Sequence, residues 1–141
     1  MYCMLNAMKD LMRAIRTLHP LWQVWVLLLM ALNFAGPLFY FDRIEAIYTF
    51  WAGMLGAGIG LTLISFQGVT RLAGIMHAPW FCLLYYLWGR LPGLDLQTPF
   101  GLWLAAVMVC NAVSLVIDTV DVIRYLRGER APLIDSTGCE V

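Results

Sequence analysis

Four stretches of this 141-residue chain, 21–41, 46–66, 72–89 and 99–117, contain no Lys, Arg, Asp or Glu. Each runs for roughly 18 to 21 residues, and about 20 residues of α-helix cross the ~30 Å hydrocarbon layer of a bilayer. Lipid offers no partner to an unpaired backbone group, so a chain of this kind crosses as helices or as a closed barrel. A barrel needs ten-residue segments that alternate apolar and polar; these runs are continuously apolar. The composition agrees, with 13% charged residues against roughly 25% in soluble domains, and a mean hydropathy of +0.77.

The expected fold is therefore all-α, a polytopic membrane protein in a single membrane domain, 1–141. Its four transmembrane helices should cover about 21–41, 46–66, 72–89 and 99–121. Before them, residues 1–19 read as an N-terminal amphipathic interfacial helix rather than a cleavable signal. Met4, Leu5, Met8, Leu11, Met12 and Ile15 share one face, while Asn6, Lys9, Asp10, Arg13 and Arg16 occupy the rest. Residues 128–141 form a polar tail after the stop signal Gly128.

The charges orient the helices. Lys9, Arg13 and Arg16 precede the first span, Arg71 falls between the second and third, and Arg124, Arg127 and Arg130 follow the fourth; only Arg43 and Arg90 lie on the other side. The excess of Lys and Arg marks the cytoplasmic side. Both termini are expected there, in a bacterial inner (plasma) membrane. Net charge is zero, which gives no reason to expect a nucleic-acid partner. Cys3, Cys82, Cys110 and Cys139 form no C-x-x-C pair, and no His/Cys set has metal-ligand spacing, so no metal and no cofactor is expected.

Several local signals refine this outline. Asp42 and Glu45 have capping-box spacing before the second span. Thr70 and Thr98 are candidate N-caps, and Gly68 a helix stop. Asn33 sits inside the first span, four residues before Pro37, and an interhelical hydrogen bond is its expected role. Ala52, Gly56 and Gly60 form a stripe of small residues at four-residue spacing in the second span. Such a stripe lets another backbone approach closely, within the bundle or between protomers.

The polar groups concentrate on the fourth helix. Asn111, Ser114, Asp118, Asp121 and Tyr125 fall at offsets that place them on one arc of ~80°. Ionisable groups are costly against lipid, so this face must meet protein or water. The third helix offers partners: Arg71 at its start and His77 six residues further in, with Asp118 six residues back from Arg124. In antiparallel helices that count puts His77 and Asp118 at one depth. His77, Asn111, Ser114, Asp118, Asp121 and Arg71 are thus the candidate polar or ion site, either a structural clasp or the lining of a proton-sensitive cavity. No catalytic residue is identified, and the balance is against an enzyme. The first functional expectation is a non-enzymatic accessory, assembly or interaction subunit docking through the small-residue stripe. The alternative is a small oligomeric transporter or channel built on His77 and Asp118. The bilayer, a second copy of the chain or another membrane protein are the expected partners. Helix count alone transfers no function.

Overall fold

The computed structural model describes residues 2–131, and every regular element within them is helical. In chain order these are α1 (Tyr2–Thr17), α2 (Pro20–Leu38), α3 (Ile44–Gln67), a 3-10 helix (Arg71–His77), α4 (Pro79–Arg90) and α5 (Pro99–Leu126). A single 3-10 turn, Leu91–Gly93, follows α4. Three helices, α2, α3 and α5, are long and apolar enough to cross a membrane. The expected tail from 132 onward, with Cys139, lies outside the described residues, as does the side chain of Cys3.

The expected third span is not one α-helix. Pro79 has no N–H and its ring crowds the carbonyl four residues back, so an α-helix cannot run smoothly through it. The chain tightens before it: the Ala78 N–H bonds the Ile75 carbonyl at 2.9 Å, three residues back. This 3-10 geometry holds for seven residues, Arg71–His77, longer than the three or four at which such runs usually stop. The α-helical part that follows is only 12 residues long.

What holds the 3-10 segment is the small-residue stripe of α3. The buried residues of α3 recur every three or four positions: Ala46, Thr49, Gly53, Gly56, Gly60 and Ile64. A Cβ on Gly56 would lie 2.5 Å from the Met76 carbonyl oxygen, and one on Gly60 3.1 Å from the Met76 side chain. The absence of side chains there lets the 3-10 backbone press against α3. Ala52 is only partly buried, against the main core, so the packing line runs through Gly53 in its place. The stripe is filled from within the chain.

The main core joins α2, α4 and α5 through Leu29, Leu83, Leu87, Leu104, Val107 and Leu115, with Trp80. A second cluster, Ala7, Ala14, Ile64 and Val69, fixes α1 to the end of α3. The face of α1 that packs on α3 is built of small residues, and the methionine face is left open. Ala7, Asp10 and Ala14 are buried, whereas Met4, Leu5, Met8 and Met12 remain 37–57% exposed. Two alanines seven residues apart let α1 approach α3 more closely than methionines would, and Asp10 is enclosed with them.

The helix ends follow the sequence only in part. Gly68, at φ 69, ends α3 in a conformation that disfavours side chains, and Thr98 accepts from the Gly101 N–H at 3.1 Å as the N-cap of α5. The capping box does not form. Asp42 pairs with Arg43 at 3.5 Å, and Glu45 turns to Arg90 of α4 at 3.2 Å, because an opposite charge is within reach of each. Thr70 precedes the 3-10 helix without a side-chain cap bond.

Candidate functional site

The 3-10 turn decides which residues face α5. With three residues per turn, side chains at i, i+3 and i+6 stack directly above one another. Arg71, Gly74 and His77 therefore share one edge, where α-helical geometry would spread them over about 120°. On α5, Asp118 and Asp121 stand three residues apart and meet that edge. His77 Nδ1 lies 2.7 Å from Asp118 Oδ2, and an Arg71 guanidinium N–H donates to Asp121 Oδ1 at 2.6 Å. Between the two pairs, a Cβ on Gly74 would come within 3.0 Å of the Asp118 Cβ. Gly74 is what lets the acidic face of α5 come so near.

The His77 and Asp118 side chains are 20% and 19% exposed. With the carboxylate ionised, Nδ1 carries the hydrogen and donates to it. Nε2 is then an acceptor, and it has no hydrogen-bond partner among the described residues. The Trp80 ring stacks on the imidazole at 4.1 Å between centroids and 24° between planes, so the ring is held from the side as well.

His77 and Asp118 lie on the wall of a cavity of about 410 Å³, within the size range of small-molecule pockets. Its polar wall is Thr70, Arg71, His77, Asp118 and Asp121, and the remainder is apolar. Leu29 and Phe34 of α2 and Gly53 of α3 line its inner reach, and α1 covers it with Met8, Leu11 and Ile15.

Asn111 and Ser114, expected in the same site, are engaged elsewhere. Ser114 accepts from the Trp25 indole N–H at 3.3 Å. Asn33 and Asn111 exchange amide hydrogen bonds at 2.9 and 2.8 Å, and both are fully buried. Asn33 also donates to the Leu29 carbonyl, 3.0 Å away in its own helix. The expectation of an interhelical bond from Asn33 holds, and its partner is the first polar group of the α5 stripe.

Beside this pair α2 widens into a π-helical turn, Ala31–Ala35, in which the Gly36 N–H reaches the Ala31 carbonyl five residues back. In that register Pro37 stands where a donor to the Leu32 carbonyl is needed, and it has none. The Trp103 indole N–H of α5 donates to Leu32 instead, at 3.1 Å.

At the α1 end of the bundle, Glu129 accepts from Arg124 at 2.9 Å and lies 3.5 Å from Arg71, while Tyr125 donates to Gln67 at 2.9 Å. Hydrogen bonding to Arg124 holds the Glu129 carboxyl below its ordinary value of 4.5, against a smaller opposing effect of burial. The stabilisation from this contact is present above that ordinary value and is lost as pH falls through the lowered one. Trp25, Trp80 and Trp103 are the residues that sequence reasoning did not place in the site. Their signal was weak, since an indole in a span reads first as lipid-facing or interfacial. No family model, curated protein or solved structure matches the chain, and the functional reading rests on this geometry alone.

Proposed function

We propose that the chain is a small four-pass transporter or channel in which His77 and Asp118 form a proton-sensitive site opening to the cytoplasm. The observation that carries this reading is the cavity of about 410 Å³ with an oriented imidazole and an acidic partner on its wall. A purely structural clasp has no need of the adjoining space. The accessory-subunit reading is less well supported, because Met76 already occupies Gly56 and Gly60, the surface on which a partner helix would dock. A homo-oligomer would have to use another face.

The fourth crossing in this reading is the composite segment Arg71–Arg90. Seven 3-10 residues rise about 14 Å and 12 α-helical residues about 18 Å. Placed end to end they match the ~30 Å hydrocarbon layer. Such broken crossings are tolerated where the irregular backbone packs on protein or lines a cavity, and this one packs against α3 and α5 and lines the cavity with Ala73, Gly74 and Met76. In the same reading α1 is amphipathic and lies at the cytoplasmic interface of a bacterial inner membrane.

Two experiments test the proposal. Reporter fusions after Glu140 should behave as cytoplasmic and fusions at Leu94 as external; the reverse pattern would contradict the charge-based orientation. For activity, the full chain is reconstituted into vesicles loaded with a pH-sensitive dye, and a potassium diffusion potential is imposed. Proton movement should exceed that of protein-free vesicles, and Asp118→Asn should return it to their level. The asparagine oxygen can still accept from His77, so the fold is kept while the charge is lost. Equal flux in parent and variant would remove the His77–Asp118 pair from any transport role.

A further inference from the structure

We infer that the outward face of α1 is a binding surface for anionic phospholipid headgroups. The helix carries Lys9, Arg13 and Arg16 at spacings of four and three, which stack them along one side. All three are exposed, and none has an ion-pair partner among the described residues. They do not stand alone. Met8 and Met12 join them in lining a shallow cleft, and Met4 and Leu5 extend the exposed apolar surface beside it.

Both halves of that surface have a counterpart in one kind of molecule. Phosphate oxygens fit the guanidinium and ammonium groups, and the glycerol and upper acyl region fits the flexible thioether side chains. A soluble acidic peptide would satisfy the cations and leave the methionines wet. The attachment of α1 favours lipid as well: it joins α2 through Leu18 and His19 alone, so it lies within a few ångströms of a helix long and apolar enough to cross a bilayer. Its other side is occupied, because Ala7 and Ala14 bind it to α3. Only the basic side is free.

This inference rests on the membrane reading of the chain and does not depend on transport. Its test uses the full chain in neutral detergent, titrated with phosphatidylglycerol or phosphatidylcholine, with bound lipid counted by native mass spectrometry. Phosphatidylglycerol should bind at least about fivefold more tightly, the contribution of one cation beside an anionic headgroup. The preference should weaken as salt is raised. The triple variant Lys9→Gln, Arg13→Gln, Arg16→Gln should abolish it, whereas Arg127→Gln, also exposed, should leave it intact. Equal binding of the two lipids, or an undiminished preference in the triple variant, would overturn the inference. So would displacement of phosphatidylglycerol by millimolar inorganic phosphate, which would make the cleft a site for the free ion. A chain that stays soluble and monodisperse without detergent would refute the membrane reading itself, an outcome separable from each of these.

Discussion

Gly56→Leu is expected to destabilise the protein by about 3 kcal/mol or more, at the upper end of overpacking effects. The obstacle is backbone. A Cβ at position 56 would stand 2.5 Å from the Met76 carbonyl oxygen, and a carbonyl inside a 3-10 helix cannot swing aside as a side-chain terminus can. The segment Arg71–His77 would have to leave α3, taking with it the edge that faces Asp118 and Asp121. Gly60→Ala should be milder, because its neighbour is the flexible Met76 side chain at 3.1 Å. Thermal unfolding in mild detergent would rank the two. If Gly56→Leu melts like the parent, α3 and the 3-10 helix are not in this contact.

The second large effect belongs to the buried amide pair. Asn33→Leu would leave the Asn111 amide in a fully enclosed site with no partner, and an unsatisfied buried polar group costs about 1–3 kcal/mol. Replacing both, Asn33→Leu with Asn111→Leu, removes the orphan and should cost less than the single change. Hydrogen bonds between membrane helices contribute about 0.6 kcal/mol on average, so most of the single-variant loss is the burial penalty. A double-mutant cycle reads the difference directly. Strict additivity of the two substitutions would mean that the amides do not depend on each other.

How far the sequence reached can be judged residue by residue. Charge-free length marks α2, α3 and α5, because burying a charge in lipid is costly at any rotation of the helix. Equal residue counts from Arg71 and Arg124 set His77 level with Asp118, and in the structure their side chains are 2.7 Å apart. That estimate used α-helical rise on a segment that is 3-10. Nothing in the apolar run 72–89 except Pro79 signals the change of winding, which depends on contact with Gly56 and Gly60 and so on tertiary structure. The same limit applied to α1. Its periodicity marks a methionine face and gives no sign of Ala7 and Ala14, which only the position of Ile64 and Val69 selects. Capping at Asp42 and Glu45 failed for a related reason: Arg90 is 45 residues from Glu45 in the chain and adjacent to it in space.

The Asn33–Asn111 pair also restricts how such a bundle can move. A one-turn slide of α2 along α5 is ~5.4 Å, far beyond what two hydrogen bonds of 2.8 and 2.9 Å can follow. The Trp103 bond to the Leu32 carbonyl adds a second tie, next to Asn33 on α2 and eight residues from Asn111 on α5. Piston-like travel of these two helices is therefore excluded while the pair is intact. What remains is tilting about that point, as a lever turns on a fulcrum. Displacement would then be smallest beside the amides and grow toward the helix ends, so that the Pro20 end of α2, to which α1 is joined, would travel farther than the Leu38 end for a given change of angle.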